Sequence, residues 1–97
     1  MIRHARIPDA RAIHQLLLQY ANQGQLLGRS LADIYENIRD FYVYEEDGAV
    51  LGTGALAISW ENLAEVRSLA VAPGQAGKGI GRKIVETCLD EAVTLGI

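Results

Sequence analysis

The glycine-rich segment over residues 71–82, VAPGQAGKGIGR, constrains the fold of this chain more than any other feature. A short apolar run precedes it, and residues 80–95 follow with apolar side chains at helical spacing. Glycines stand at three alternate positions, 77, 79 and 81, and their lack of a Cβ lets the backbone approach a ligand closely. The first N–H groups of a helix lack partners within the helix and, with the helix dipole, favour an anion. The segment therefore predicts a strand, a loop and a helix that bind a diphosphate.

Two well-known phosphate-binding patterns do not fit this loop. The Walker pattern requires a glycine at position 72 and Ser or Thr at position 79, where the chain has Ala72 and Gly79. The dinucleotide pattern Gly-x-Gly-x-x-Gly requires a third glycine where Arg82 stands. Lys78 and Arg82 add positive charge beside the loop. A glycine-rich turn without a ligand is the alternative interpretation.

Residues 76–81, AGKGIG, together with the preceding Val71-Ala72-Pro73, resemble the pyrophosphate loop of the GNAT acyltransferases, which bind acetyl-CoA. The family pattern is Gln/Arg-x-x-Gly-x-Gly/Ala, and this chain departs from it at Ala76, with Gln75 one residue early. The resemblance implies that acetyl-CoA is the bound acetyl donor. The cofactor-binding residues that it implies are Leu69, Ala70, Val71, Ala76, Gly77, Lys78, Gly79, Ile80, Gly81 and Arg82.

Hydrophobic periodicity and turn residues predict the element order β-α-α-β-β-β-α. The predicted elements are a strand over 2–7, a helix starting at Pro8-Asp9 and ending near 22–24, a helix capped by Ser30, strands over 41–45, 50–59 and 63–71, and a helix over 80–95. The predicted buried stripe of the last helix is Ile80, Ile84, Val85, Cys88, Leu89 and Ala92. An Asp47-Gly48 turn joins the first two of the long strands, because this dipeptide favours hairpins.

This order resembles the first two-thirds or so of a GNAT domain. The resemblance implies an α/β fold with a mostly antiparallel mixed sheet flanked by helices. We expect residues 1–97 to form a single domain that is incomplete at the C-terminus and lacks the last strands and helix of that fold. An unpaired strand edge would favour a homodimer.

The composition excludes several classes of protein. A formal net charge of −3 with scattered basic residues argues against nucleic acid as a partner. No apolar run reaches the ~18 residues that span a membrane, and the N-terminus lacks the apolar core of a signal peptide. The single cysteine, Cys88, cannot form an internal disulfide, which suits a cytoplasmic protein. His4 and His14 have no metal-ligand spacing, so no metal is predicted.

Glu65 is the candidate catalytic residue. It lies near the start of the strand that leads to the glycine loop, and strand alternation predicts that Arg67, Leu69 and Val71 share its face. In some GNAT enzymes a Glu at this position is the general base, a role that burial of the carboxylate would suit. The resemblance also implies a backbone oxyanion donor near Leu69. The alternative for Glu65 is a surface carboxylate paired with Arg67 or a lysine.

Three further segments resemble the acetyltransferase domain of N-acetylglutamate synthase. They are residues 23–30 (QGQLLGRS), 35–41 (YENIRDF) and 63–71 (LAEVRSLAV). The resemblance implies transfer of acetyl from acetyl-CoA to the α-amine of L-glutamate, a step of arginine biosynthesis. Glutamate carries two carboxylates, which arginine binds in bidentate fashion. Arg29 is the first candidate for substrate binding and Arg67 the second, with a surface or helix-cap arginine as the alternative for each.

Two other functions remain open at this stage. The acceptor amine could be another small molecule or a protein. The departure at Ala76 and the expected incompleteness of the domain favour instead a non-catalytic acyl-CoA-binding module.

Overall fold

The computed structural model describes residues 1–22 and 29–97, and of residues 20–22 it describes the backbone only. Residues 23–28, which carry part of the resemblance given above, lie outside the described part. The strands are β1 Ile2–His4, β2 Phe41–Glu46, β3 Ala49–Trp60 and β4 Leu63–Val71, and the helices are α1 Ala10–Asn22, α2 Leu31–Glu36 and α3 Ile80–Thr94. Short 3₁₀ turns over Ile7–Asp9 and Ile38–Asp40 precede α1 and β2. The predicted element order is confirmed.

The four strands form one sheet in the order β1-β2-β3-β4, with antiparallel pairing between neighbours. Asp47 and Gly48 join β2 to β3 with φ values of 53° and 80°. Two consecutive positive φ angles are typical of the tight hairpin turns that match strand twist, so the predicted hairpin is confirmed. Within the described residues, β4 pairs with β3 on one edge and with no strand on the other.

Helices cover both faces of the sheet, and each face has its own apolar core. The core on the side of α1 and α2 comprises Ala10, Ile13, Leu16, Leu17, Ile34, Phe41, Val43, Ala55 and Ala70. The core on the side of α3 comprises Tyr42, Leu56, Ile80, Ile84, Cys88 and Ala92. Neighbouring residues of β2, β3 and β4 alternate between the two cores, as the period of a strand requires.

The stripe predicted for α3 is confirmed except at one edge. The buried members recur at a spacing of four and are Ile80, Ile84, Cys88 and Ala92. Val85 is half-buried, whereas Leu89 is 55% exposed. Its predicted burial is wrong, because a residue one position after Cys88 lies about 100° further around the helix, at the margin of the contact with the sheet.

Strand β1 is shorter than predicted, ending at His4 instead of Ile7. The chain leaves the sheet because the Asp9 carboxylate accepts a hydrogen bond from the Arg6 backbone N–H at 2.7 Å and closes a 3₁₀ turn. Arg3 holds that carboxylate from the strand side, donating from Nη1 to Oδ2 at 2.8 Å and from Nη2 to Oδ1 at 3.0 Å. Ile7 is consequently 55% exposed.

Candidate active site

The glycine loop between β4 and α3 adopts the left-handed conformations that its sequence predicts. Gly74, Gly77 and Gly79 have φ values of 81°, 82° and 79°, and a Cβ built on any of them would meet no heavy atom within 4 Å. Gly79 is the N-cap of α3 and has no side chain to cap the first turn. Glycine is therefore needed here for its backbone conformation, and open space lies in front of the helix N-terminus.

The two basic residues of the loop region already have polar neighbours. Lys78 Nζ donates to Gln75 Oε1 at 3.1 Å. The Arg82 guanidinium donates to Glu86 Oε1 at 2.8 Å, and its side chain is 84% exposed. Since exposed contacts of this kind contribute little energy, both cations can turn to an anion at the loop. The Ile80 side chain is buried in the α3 core, which leaves its backbone N–H as the group that could contact a ligand.

A β-bulge interrupts β4 three residues after Glu65, at Ser68. Thr53 pairs with Ala70 and Ala55 pairs with Arg67, so two residues of β4, Ser68 and Leu69, lie opposite one residue of β3. Ser68 has a φ of 56°, in the left-handed region that non-glycine residues seldom adopt. An extra residue of this kind shifts the register and redirects the side chains that follow.

The bulge overturns one prediction about β4. Glu65 and Arg67 share a face, as expected. Leu69 and Val71 do not join them, because they pack with the core on the α3 side together with Ala64 and Val66. The residue inserted by the bulge reverses the alternation. Even-numbered residues face α3 before Ser68, and odd-numbered residues face α3 after it.

Glu65 and Arg67 form an ion pair on the solvent side of β4. Arg67 Nε donates to Glu65 Oε1 at 2.6 Å. The side chain of Glu65 is 55% exposed and that of Arg67 is 53% exposed. The burial that would have suited a general base is therefore absent. The structure instead has the alternative arrangement, a surface carboxylate paired with Arg67.

Glu65 also lines a groove between β4 and α3. This β4–α3 groove has a volume of about 280 Å³. Its other lining residues are apolar: Leu56, Ala64, Val66, Leu89, Ala92, Val93 and Ile97. The candidate base thus lies at the rim of an apolar channel that follows the outer edge of the sheet.

Arg29 is held against the bulge by three neighbours. Its Nε donates to Asp33 Oδ2 at 2.5 Å, and its Nη1 donates to Ser68 Oγ at 3.0 Å. The guanidinium carbon lies 4.9 Å from the centre of the Phe41 ring, in cation–π geometry. The side chain is 21% exposed. Arg29 is therefore a fixed guanidinium beside β4 and not a mobile surface arginine.

Asp40, which the sequence analysis did not single out, lies close to both candidate arginines. Burial raises the pKa of Asp40, while the positive charges of Arg29 and Arg67 act in the opposite direction and Glu91 adds to the rise. Both guanidinium groups thus influence one carboxyl group at the start of β2. No sequence pattern marked Asp40, since its environment depends on three separate segments.

The predicted site residues fall into two groups along β4. Glu65, Arg67 and Arg29 lie near its middle, and the glycine loop begins after its end at Val71. Val71 lies six residues after Glu65, but the bulge shortens the span to that of the five β3 steps from Ala57 to Gly52, about 17 Å at 3.3 Å per residue. An extended ligand bound at the loop would follow the edge of β4 to reach Glu65.

The described residues offer neither a metal site nor a membrane span. Residues 1–22 and 29–97 contain no group of three or more His, Cys, Asp or Glu side chains that could hold a metal ion. Within the same ranges, no helix has the length and apolar character needed to cross a bilayer.

Comparison with known proteins identifies the family. Residues 7–97 match the acetyltransferase (GNAT) family model, and the chain therefore belongs to this family. An uncharacterized N-acetyltransferase of Chlorobaculum tepidum is 47% identical over 85 residues, which cover 88% of this chain and 55% of that protein. The amino-acid acetyltransferase of Mycobacterium tuberculosis is 41% identical over 95 residues, covering 95% of this chain and 54% of the relative. The chain spans about half the length of these curated relatives.

Solved structures agree with the family assignment. A Mycobacterium tuberculosis protein in complex with CoA superimposes with a TM-score of 0.94 at 40% identity, covering 100% of this chain and 60% of that one. N-acetylglutamate synthase from Neisseria gonorrhoeae, complexed with coenzyme A and N-acetyl-glutamate, also gives a TM-score of 0.94, at 32% identity. That match covers 100% of this chain and 23% of the synthase. The predicted GNAT fold is confirmed.

Proposed function

We propose that this chain belongs to an acetyl-CoA-dependent N-acetyltransferase that acetylates the α-amine of an amino acid, with L-glutamate as the favoured acceptor. The observation that carries the proposal is the placement of Arg29. A fixed guanidinium lies at the β4 bulge, on the strand that leads to an open glycine loop. Relatives named amino-acid acetyltransferase support the acceptor class, and the product-bound synthase supports glutamate. The reaction would then serve arginine biosynthesis.

The proposed cofactor site follows from the geometry of the loop. The diphosphate of acetyl-CoA would bind the N–H groups at the start of α3, where Gly77 and Gly79 leave open space. Lys78 and Arg82 would supply positive charge. The rest of the cofactor would run along the outer edge of β4, beside the β4–α3 groove. The apolar lining of that groove suits the aliphatic part of such an arm.

The proposed chemistry is attack of a neutral amine on the thioester carbonyl. Glu65 would accept a proton from the ammonium group, directly or through water. The amine nitrogen then forms the new C–N bond while the C–S bond breaks. The proton that the nitrogen loses as it becomes an amide goes to the departing sulfur, directly or through water, and CoA leaves as the thiol. Backbone N–H groups of β4 near Leu69 would stabilise the oxyanion, a contribution that is typically about 3–4 kcal/mol per donor.

Substrate recognition in this proposal depends on two arginines. Arg29 and Arg67 lie on the same side of β4, and both influence Asp40. A dicarboxylate amino acid could place one carboxylate against each guanidinium. Planar guanidinium groups bind carboxylates through two parallel hydrogen bonds, so the pair would fix the substrate's orientation as well as its charge.

The first experiment is a calorimetric titration of acetyl-CoA into the protein and into Gly79→Glu. The substitution places a carboxylate, and a side chain at positive φ, where the diphosphate would bind. Gly96→Glu is the matched control, because Gly96 also has positive φ and open space but lies at the far end of α3. We expect binding to be lost in Gly79→Glu and kept in Gly96→Glu. Equal binding by both variants would exclude the loop as the cofactor site.

Glutamate-dependent release of the CoA thiol is the second step of this experiment. Release that requires glutamate and is not supported by glutamine or alanine would support the proposed acceptor. Binding of acetyl-CoA without any amine-dependent release would favour a non-catalytic acyl-CoA-binding module. The solvent exposure of Glu65 and its pairing with Arg67 are the observations that favour this second candidate.

A further inference from the structure

We propose that Ser68 is a positioning residue that orients Arg29 for the substrate carboxylate. Its hydroxyl and the carboxylate of Asp33 hold the Arg29 guanidinium from two sides, so that the remaining donors point in one direction. The inference rests on the proposed function, in which Arg29 receives a carboxylate of the acceptor. Ser68 would thus contribute to substrate binding through Arg29, without contacting the substrate itself.

The backbone at Ser68 provides the first argument. Among the described residues, the non-glycine residues with positive φ are Asp47 and Ser68. Asp47 belongs to a hairpin turn that requires this conformation. Ser68 is the first residue of the β4 bulge, a position where glycine usually supplies the left-handed conformation, and a non-glycine residue there costs on the order of 1–3 kcal/mol. Strain kept at such a position indicates that the direction of the side chain matters.

The hydrogen bonds of Arg29 provide the second argument. The Arg29 Nη1–Ser68 Oγ bond of 3.0 Å joins the residue before the N-cap of α2 to the bulge in β4. Asp33, the other partner, is itself fixed: its N–H donates to Ser30 Oγ, and Asn37 Nδ2 donates to its Oδ1, both at 3.0 Å. The pairing to Asp33 therefore anchors Arg29 to α2. The bond to Ser68 is the one that sets its place relative to β4.

Because the guanidinium is planar and rigid, the two hydrogen bonds and the Phe41 contact fix its orientation. Arginine has five N–H donors in one rigid plane. Asp33 occupies Nε, Ser68 occupies one side of Nη1, and the Phe41 ring lies against the face of the plane. Once these directions are fixed, the orientation of the Nη2 side is fixed as well. A preorganised donor pair binds a carboxylate more tightly than a rotating one, because less rotational freedom is lost on binding.

The first test compares three variants of Ser68 in a steady-state assay of glutamate-dependent thiol release. Ser68→Ala and Ser68→Gly both remove the hydroxyl, but only glycine relieves the left-handed strain. We expect each to raise the KM for glutamate about tenfold while leaving the KM for acetyl-CoA unchanged. Ser68→Asn keeps an acceptor oxygen and tolerates positive φ, so it should restore part of the loss. Equal changes in both KM values would contradict a positioning role.

The second test is a double-mutant cycle with Arg29→Ala. If Ser68 acts through Arg29, then Ser68→Ala should add no further rise in the glutamate KM when Arg29 is already absent. A further rise of the same size in the Arg29→Ala background would show that Ser68 acts on the substrate by another route and would overturn the proposal. Thermal unfolding of each variant checks that its fold is retained.

NMR of the protein without substrate tests the role of Ser68 independently of the proposed function. Rotation of the Arg29 Nη groups about the Cζ–Nε bond is followed by ¹⁵N NMR in the protein and in Ser68→Ala. We expect slow rotation in the protein and at least tenfold faster rotation in the variant. Unchanged rotation would overturn the positioning role whatever the acceptor is. Absence of glutamate-dependent thiol release from the unsubstituted protein would instead contradict the proposed function, and the NMR result would stand by itself.

Discussion

At the scale of single residues, Glu65 and Arg67 form an ion pair that is weak enough to be exchanged for contacts with a ligand. Both side chains are more than half exposed, and an exposed ion pair is typically worth about 0–1 kcal/mol. Either side chain can therefore turn to a bound substrate at little cost. Arg29 differs, since its three contacts fix it before any ligand arrives. The candidate site thus combines one rigid cation with one exchangeable pair.

Replacing Glu65 with Gln should lower turnover while acetyl-CoA still binds. The amide keeps an acceptor oxygen for Arg67 and a similar shape, but it cannot take a proton from the amine. A general base typically contributes about 10²–10⁴-fold to the rate, so we expect a loss in kcat of that order. Steady-state kinetics and acetyl-CoA titration of the same preparation provide the check. Unchanged kcat in Glu65→Gln would remove this residue from the mechanism.

Asp9 should make the protein sensitive to acid. The hydrogen bonds from Arg3 lower the pKa of Asp9 against the opposing effect of its burial. Because the folded-state pKa lies below the ordinary value of 3.8, the stabilisation is fully present above that value. It is lost as the pH falls through the folded-state pKa. Asp9→Asn should cost about 1.5–3 kcal/mol at pH 7 and flatten the fall in melting temperature as the pH is lowered through and below the ordinary carboxyl pKa of 3.8. Parallel acid curves for the two proteins would contradict this.

At the scale of elements, the sequence identified the regular parts of the molecule but not the bulge. The predicted range 63–71 coincides with β4, because alternation, the turn before it and the glycine loop after it all agree. The left-handed conformation of Ser68 had no signal, since serine is not a typical residue for it. The face of Leu69 was therefore predicted wrongly. The partners of Arg29 were also unpredicted, because they come from α2, β2 and β4 and meet only in the folded chain.

The contact between β3 and α3 depends on glycine in the strand. A Cβ at Gly54 would lie 2.6 Å from Ile84 Cγ2, and one at Gly52 would lie 2.7 Å from Ile80 Cγ2. Gly54→Ala should therefore destabilise the fold by about 1–3 kcal/mol, as overpacking of a core typically does. Chemical denaturation measures the loss.

The matched control for this prediction removes the side chain that clashes. In an Ile84→Ala background, Gly54→Ala should cost clearly less than in the unsubstituted protein, because Cγ2 of residue 84 is gone. An equal cost in both backgrounds would show that the effect comes from the strand itself and not from the approach of α3.

At the scale of the whole molecule, several exposed apolar side chains lie around the β4 edge, besides others such as Met1 and Ile7 near β1. Exposed fractions exceed one half for Ile58, Trp60 and Leu63 near the β3–β4 turn, and for Leu89 and Val93 on α3. This region includes part of the β4–α3 groove and the β4 edge that pairs with no strand in the described part. The predicted homodimer and the predicted incompleteness of the domain both concern this edge, and both stay predictions. Composition and periodicity indicate the amount of apolar surface, but not where the fold leaves it uncovered.

Alkaline pH should destabilise the molecule through the core on the α3 side. Burial raises the pKa of Cys88 to about 11 from 9.0, and burial with a hydrogen bond to Glu91 raises the pKa of Tyr42 to about 12 from 10.0. Both groups are neutral in the fold, so their stabilisation is fully present below about pH 9. It is lost as the pH rises towards 11 and 12, because the unfolded chain ionises first.

Cys88→Ala tests this prediction, since alanine does not titrate. The variant should be less stable at pH 7, because burial of the thiol is lost. Between pH 9 and 11, however, its free energy of unfolding should fall less steeply, by at most about 2–3 kcal/mol across the range. Denaturant unfolding at closely spaced pH values provides the measurement. If the two proteins lose stability with the same slope, the alkaline transition arises elsewhere and the thiol of α3 does not contribute to it.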